Sequence, residues 1–427
     1  MWPSKCCEVG AEISLDCQHS VPKNDNNGVD AYSHRAVSTL NGIEEMRHSW
    51  EELQSRSGRC LQTDIDYYLA EIASKNGASC PHVIVLYKNG APVSALIGTI
   101  EDAPFELRLG YKVLFQPKVR LLKFDHPPTI GDDSHAACKR LLSVLKDSLT
   151  QFKIDVITFK NIKCDSHMYE VASACIYPLI RRLVLPQTKR WMLLLPESYE
   201  VFYSTRSKHI KRNTKQGFFR LTRDFPDTVM YKRFSQKSEL DVAMSHVEAV
   251  ARKAWQRRMG LGFFLDDRHR ARYRSSIAHG WLRIYVINIK DEPVAFWIVF
   301  RYGNTMTIEY TGYNPEFSNY TVGSILLMKM IEELCSDSDI SVVDYGPGPD
   351  TYKSLYGNQS WDETQVYLFA HSSRGLAFNV IWSALGIVSH VGKALLRYLN
   401  LETKMRNLWF NRLKGGKLSK AGKPESN

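Results

Sequence analysis

The sequence predicts an α/β protein, α+β in its layering, made of two mixed-sheet halves and closed by an amphipathic helical extension. Three observations predict this. The segments "HVIVLYKNGAPVSALIGTI" (His82 to Ile100) and "RIYVINIKDEPVAFWIVFR" (Arg283 to Arg301) share one pattern: a β-rich run, a lysine-led turn, a Pro-Val pair and a second β-rich run. That pattern is a hairpin signature. Each hairpin is preceded by helical sequence and followed by an apolar helix and a buried-type strand, so an internal duplication is expected. The length of 427 residues also exceeds what one core serves and predicts more than one domain.

In chain order, residues 1–40 are polar and turn-rich ("SVPKNDNNGVDAYSHR") and are expected to be a mobile leader. The first half, 41–185, holds the helical "DIDYYLAEIASKN", the first hairpin, the helix Ser134 to Phe152 and the strand "IDVITFKNI". The second half, 186–372, opens on a crossover strand, Arg190 to Leu195. One helix follows, "ESYEVFYSTRSKHIKRNTKQGF", dense in charge through Arg206, Lys208, His209, Lys211, Arg212 and Lys215. Two helical stretches, "KSELDVAMSHVEAVARKAW" and "DDRHRARYRSSIAHG", lead to the second hairpin, the strand "MTIEYTGY", the helix "VGSILLMKMIEELCSDS" and a strand from Ile340 to Tyr345. Pro92 and Pro293 fall at the starts of second strands, where a missing N–H costs least.

Residues 373–414 read as a basic amphipathic helix. Ala377, Ile381, Ala384 and Val388 recur at helical spacing, followed by Lys393, Arg397, Lys404, Arg406, Arg412 and Lys414. Such a helix docks on its parent domain or lies on an anionic membrane surface. Residues 415–427 are expected to be a disordered tail.

Lys and Arg outnumber Asp and Glu, 56 to 45, giving a net charge of +11. The excess points to a phosphorylated cofactor, nucleic acid or an anionic membrane, and composition does not choose among them. Nine cysteines are scattered without CxxC spacing, which argues for reduced thiols and against a disulfide framework or a zinc site. The N-terminus is broken by Glu8, Glu12 and Asp16 and lacks a secretory pattern. The apolar run Leu376 to Val388 falls short of the ~20 residues a spanning helix needs. The expected location is cytoplasmic, with attachment to the inner membrane face as the alternative. Neither a Gly-x-Ser-x-Gly elbow, a Walker loop nor a dinucleotide fingerprint is present.

The segments "AWQRRMG", "HGWLRIYVINIKDEPVAFWIVF", "YNPEFSNYTVGSILLMKMIEEL" and "DYGPGPDTYKSLYG", in that order, resemble the bacterial GNAT-type acyltransferases of the CelD-like (cellulose and exopolysaccharide biosynthesis) group. That group is related in fold to the Fem-type aminoacyl transferases. The likeness is strongest from Trp191 to Phe369 and rests most on Tyr313, Pro315 and Gly323, followed by Gly346 to Lys353. It implies a tandem GNAT-like fold in which the second half holds an acyl donor, acetyl-CoA or another acyl-CoA, where two parallel strands splay apart. The first half is then a degenerate partner that shapes the acceptor cleft. The implied acceptor is a sugar or lipid-linked sugar.

The residues fit independently. The strand Met306 to Tyr313 leads to a helix beginning near Gly323, and free N–H groups at a helix N-terminus suit a pyrophosphate. Asn319, Thr321, Val322, Gly323 and Ser324 are therefore the candidate donor-binding residues. The family's usual Arg/Gln-x-x-Gly-x-Gly/Ala loop keeps one glycine here, which leaves the donor open between acyl-CoA and aminoacyl-tRNA. Asp350 is expected to cap a short helix that carries Tyr352 and Lys353. A lysine in a first helical turn opposes the dipole, so Lys353 is expected to face an oxyanion or donor phosphate, the alternative being a pair with Asp350 or Asp362. Asp344 and Glu309 are the candidate bases, and Tyr352, Tyr345 and Tyr310 the candidate proton donors or relays. Trp255 either anchors its helix or lines the acceptor cleft. No metal is expected. Two further readings stand beside acyl-CoA transfer: a Fem-type transferase using charged tRNA, and a non-catalytic shell of the same fold.

Overall fold

A computed structural model describes residues 32–398, apart from 58–59, 76, 110–111, 126–128, 175–180, 184–186, 255–256, 258–261 and 349. Most of the expected leader, the tail, the end of the helical extension and Trp255 lie outside the described residues.

Sixteen strands occur in the described chain: β1 (Tyr32–Val37), β2 (Ser79–Lys88), β3 (Ala91–Pro104), β4 (Leu107–Leu109), β5 (Lys112–Phe115), β6 (Lys118–Phe124), β7 (Thr129–Gly131), β8 (Val156–Lys163), β9 (Arg181–Leu183), β10 (Thr188–Leu194), β11 (Val229–Phe234), β12 (Leu282–Ile289), β13 (Glu292–Tyr302), β14 (Thr305–Tyr313), β15 (Val342–Pro347) and β16 (Gln359–Phe369). Fourteen of them form one sheet, whose main path runs β1-β2-β3-β6-β8-β16-β10-β15-β14-β13-β12-β11. The path reads as two copies of one order, meeting at β16 and β10. β16, from the second half, pairs with β8 of the first, whereas β10, which follows the first half, pairs with β15 of the second. The two exchanged strands pair with each other.

The duplication extends to fine detail. In β2–β3, Leu86 faces Ser94 and Tyr87 faces Pro92, which leaves Val93 as an extra residue. In β12–β13, Ile287 faces Ala295 and Asn288 faces Pro293, leaving Val294 extra. The repeated Pro-Val pair thus makes the same β-bulge twice. Each hairpin turn needs positive φ, supplied by Asn89 and Gly90 in one and by Lys290 and Asp291 in the other.

Alternation along the strands explains the layers. In the second half, Tyr285, Ile287, Trp297 and Val299 face the helix Val322–Cys335, while Ile284, Val286, Phe296 and Ile298 face the helices Leu240–Lys253 and Asp267–Ala278. Leu326, Leu327, Ile331 and Leu334 are buried to within 2% of completely. Each such side chain contributes about 2 kcal/mol of transfer free energy. The first half repeats the sandwich, with helix His135–Gln151 on Ile84, Leu86 and Leu96 and helices Arg47–Arg56 and Ile65–Ser74 on Val83, Val85 and Ala95.

Two expectations are corrected. Residues 32–37 belong to the sheet rather than to a leader, because β1 pairs with β2 along its whole length. The long basic helix is two, Tyr199–Ser204 and Lys208–Asp224, since Ser207 turns extended and its Oγ accepts from the N–H of Ile210 as an N-cap.

Inside the first half, His82 is fully buried, with Nδ1 2.8 Å from Ser38 Oγ and Nε2 3.1 Å from Ser148 Oγ. Burial pulls its pKa down from 6.5 to about 4. The unfolded chain therefore takes up the proton first, and the neutral ring's contribution is complete above pH 6.5 and lost as pH falls through 4. Its full size is about 3 kcal/mol. The stability difference between wild type and His82→Gln, from urea unfolding at stepped pH, should narrow by about that amount over this window.

Candidate active site

β14 and β15 run parallel but pair at three positions, Thr305 with Val342, Met306 with Val343 and Thr307 with Asp344. Beyond them the strands part. β14 stays on β13 as far as Tyr313, and β15 stays on β10 as far as Pro347. Each wall of the resulting slot carries a bulge. Ile298 faces Tyr310 and Val299 faces Ile308, so Glu309 is the extra residue of β14. Trp191 faces Gly346 and Met192 faces Asp344, so Tyr345 is the extra residue of β15. Bulges bend a strand and sharpen its twist, which is why neighbours that begin paired end apart. The inner edge of β14 from Ile308 onward has no β15 partner and offers backbone groups to a ligand.

Below the slot the chain passes through a 3-10 turn, Pro315–Tyr320, and enters helix Val322–Cys335 from Thr321, whose φ is 52°. Of the predicted donor residues, Val322 is buried in the core, so it can serve through its N–H alone. Asn319 is exposed, and its carbonyl accepts from Arg220 Nη1 at 3.4 Å. Thr321 Oγ1 is buried without a hydrogen-bond partner. A Cβ added at Gly323 would meet Tyr313 Cδ1 at 3.8 Å, an ordinary contact, so protein packing leaves the space beside it open. Ser324 lies in the first turn, its N–H bonded to Thr321 O at 3.0 Å. No carboxylate caps this helix. In the first half the equivalent helix starts behind Asp132, whose carboxylate accepts from the N–H of Ser134 at 2.9 Å, and β6 stops at its last pair with β8. The slot and the uncapped helix start occur together in the second half.

The other wall leads into helix Thr351–Tyr356. Trp297 ties the two sides together: its Nε1 donates to Gly323 O at 3.2 Å, and its ring meets Tyr352 edge-on at 5.4 Å. Gly323 and Tyr352 thus lie on the same side of the molecule. Burial raises the Tyr352 phenol well above its usual range, so it holds its proton at neutral pH. For Lys353 the structure shows the alternative reading, a pair with Asp350. It is buried, and its Nζ donates to Pro347 O at 2.6 Å and lies 3.2 Å from Asp350 Oδ2. The ammonium closes the Gly-Pro turn, because a nearby carbonyl and carboxylate satisfy it locally. Asp350 is the N-cap residue by position, but its side chain makes no capping bond.

Both candidate bases are found in ion pairs. Asp344 is gripped by Arg190, with Nε 3.1 Å from each carboxylate oxygen, and it also accepts from the N–H of Gly346 at 2.8 Å. Arg190 Nη1 reaches on to fully buried Glu363 at 3.4 Å. Burial, partly offset by Arg190, raises the Glu363 pKa. Asp344 is therefore held in a buried ion pair with Arg190. Glu309 contacts Arg272 and accepts from Tyr273 Oη at 2.8 Å. Beside it, Asp266 Oδ1 lies 2.6 Å from His269 Nδ1, and His269 Nε2 lies 3.4 Å from Tyr310 Oη. Tyr67, from the first half, reaches Arg272 at 3.4 Å. The first half therefore covers this face of the slot.

Sequence reasoning missed Arg190, Arg272, His269 and Trp297. Arg190 reads as one more basic residue before a strand, and Trp297 as core. The sole signal for Arg272 and His269 was the unusually polar helix "DDRHRARYRSSIAHG".

Residues 208–354 match the family model described as "Acetyltransferase (GNAT) domain". The second half carries a GNAT acetyltransferase domain. GNAT domains use acyl-CoA as the donor, and they are acyltransferase domains. No curated protein matches the sequence. Among solved structures, the crystal structure of FemX is similar at a TM-score of 0.57 and 9% identity, over 82% of this chain and 100% of that one; this is a likeness of fold. A tandem GNAT protein from the clavulanic acid biosynthesis pathway aligns at a TM-score of 0.45 and 13% identity, over 80% of this chain and 100% of that one. The C-terminal domain of a putative lysylphosphatidylglycerol synthetase from Agrobacterium fabrum gives 0.46 and 9%, over 78% and 94%. The chain is a mixed α/β protein with one large mixed sheet, whose two halves repeat one strand order.

Helix Lys208–Asp224 presses at Gly217 on the turn that leads into helix Val322–Cys335, where an added Cβ would fall 2.1 Å from Thr321 Oγ1 and 2.7 Å from Tyr320 O. Gly217→Ala should displace the turn, lowering both the melting temperature and the affinity for a donor, as calorimetry can read. Asp344→Asn removes the main partner of a buried guanidinium and should cost about 3 kcal/mol in chemical denaturation.

Proposed function

We propose that the protein is an acyl-CoA-dependent N- or O-acyltransferase acting on a sugar amine or hydroxyl in polysaccharide or cell-envelope biosynthesis. The observation that carries the donor half of this reading is the slot between β14 and β15, which opens beside an uncapped helix start. The pantetheine arm would pair with the free edge of β14. The pyrophosphate would meet the N–H groups of Val322 and Gly323 at this helix start. The acceptor class rests on the CelD-like sequence resemblance and on the cover that Tyr67 and its helix place over the Glu309 face.

In this mechanism the acceptor nitrogen or oxygen attacks the thioester carbon. Backbone N–H groups of the β14 edge stabilise the oxyanion. Collapse breaks the C–S bond, and the thiolate takes the Tyr352 proton. The acceptor's own proton leaves through Tyr310 and His269, the latter oriented by Asp266. Glu309, clamped by Arg272 and Tyr273, shapes the acceptor side. Lys353 holds the turn that positions Tyr352.

A second reading, a Fem-type transferase with an aminoacyl-tRNA donor, is favoured by one feature. Helix Lys208–Asp224 exposes Lys208, Arg212 and Lys215 together with Phe218 and Phe219, 43% and 63% accessible, and such pairing of cations with aromatic faces suits single-stranded RNA. Thermal shift with acetyl-CoA, longer acyl-CoAs and charged tRNA separates the readings, since a ligand at about a hundred times its Kd adds about 2.7 kcal/mol to the folded state. A response to CoA esters supports the first and a response to tRNA the second. Silence to all leaves a non-catalytic shell. Given turnover, Tyr352→Phe should lower kcat by about a hundredfold while leaving donor affinity unchanged in calorimetry.

A further inference from the structure

The helix Ser373–Tyr398 carries apolar residues on two sides between Gly375 and Ser389. One side is docked: Phe378, Trp382 and Leu385 pack with Phe105, Tyr367 and Phe369. The opposite side has no cover from the described chain. Val380, Ile387, Val388 and Val391 are 54%, 64%, 56% and 59% exposed, and Leu376 and Ile381 are open beside them. From Gly375 to Gly392 the sequence has no Asp, Glu, Lys or Arg. A water-facing helix surface normally carries charge, and solitary exposed apolar residues need no explanation, but a continuous stripe does.

A second apolar element stands beside the first. The β4–β5 hairpin packs against this helix and presents Leu114 and Phe115, 48% and 63% exposed. The surroundings are basic. Lys118 and Arg374 are exposed at the root of the helix. A cavity of about 520 Å³ adjoins that root, walled by Leu142, Leu145, Leu149 and Ile157 and edged by Lys146 and Lys153. The one carboxylate in its lining, Asp155, is occupied by the N–H of Arg120 at 2.9 Å and faces Arg374 at 3.6 Å. In sequence the chain beyond Gly392 carries Lys393, Arg397, Lys404, Arg406, Arg412 and Lys414 against one acid, Glu402.

We infer that this face, helix and hairpin together, lies on an anionic phospholipid surface. The charge decides the occupant. An apolar stripe edged by cations matches the acyl and headgroup layers of an anionic leaflet, whereas a second copy of this chain would bring the same cations against themselves. The helix rests in the interface rather than crossing it, because no described helix is long and apolar enough to span and one side of this one is already buried. Insertion of exposed apolar side chains supplies the hydrophobic part, and the lysines and arginines supply a salt-sensitive part. The inference does not depend on the nature of the acyl donor or acceptor.

Flotation of the full-length protein with phosphatidylcholine vesicles, with and without phosphatidylglycerol, tests it. The expected result is binding to the phosphatidylglycerol vesicles that weakens in high salt. Ile387→Asp with Val391→Asp should reduce vesicle affinity tenfold or more, and Phe115→Ser should reduce it by a smaller factor. Both variants should keep the melting temperature and donor response of the parent, since these side chains are already in water. Failure of the wild type to float with anionic vesicles overturns the inference. So does binding that the double variant leaves unchanged, which would assign it to charge alone. A lipid-free dimer dispersed by the same double substitution would likewise overturn it, by giving the face to a second copy.

Discussion

Arg190 is the joint on which the architecture turns. It sits on β10, between β15 on one side and β16 on the other, and its guanidinium reaches a carboxylate on each, Asp344 and Glu363. A buried cation between two buried anions is tolerated when all three find partners, and costly when one is removed. Trp361 Nε1 adds a bond to Glu363 at 2.9 Å, and the N–H of Gly346 adds one to Asp344 at 2.8 Å. By holding Asp344 toward β10, the cluster fixes the last residue of β15 that still pairs with β14. The slot opens immediately beyond that point, so the same interaction joins the halves and sets where the strands part.

Duplicated halves need not share a job, and here the differences are local. Both have the α-α-hairpin-strand-helix-strand order and the same Pro-Val bulge. In the first half the helix start is met by Asp132, which repels an anion and already satisfies an N–H. In the second it is met by Thr321 and Gly323, uncharged and with open space at the glycine. The first half instead contributes cover, through Tyr67 and Leu61 packed into the second half's aromatic layer, so one copy keeps the slot and the other walls it.

What the sequence made legible follows from what is local. The two hairpins and the pairing of strand Met306 to Tyr313 with a glycine-led helix start depend on periodicity and turn chemistry within short windows, and both are found, whereas the one expected basic helix is split at Ser207. The strand exchange was not legible, because β10 and β16 read as ordinary β-segments whose partners lie far away in the chain. Charged side chains were the least legible. For Lys353 the i,i+3 spacing offers Asp350 as a partner, but Asp344 and Glu309 are held by groups that spacing cannot reveal, Arg190, and Arg272 with Tyr273. Tyr352 differs because its neighbours are Trp297 and Tyr345, which bury it without neutralising it.

The crossed strands also bear on the order in which the chain matures during synthesis. Strand β8 of the first half has β6 on one side and β16 on the other, and β16 ends at Phe369. A nascent chain that has left the ribosome only as far as the middle of the protein therefore has an unfinished sheet with an open, apolar edge. That edge is sealed when Gln359 to Phe369 has emerged. Translation must outpace misassociation at that edge, or a chaperone must guard it, whatever the mature enzyme goes on to do.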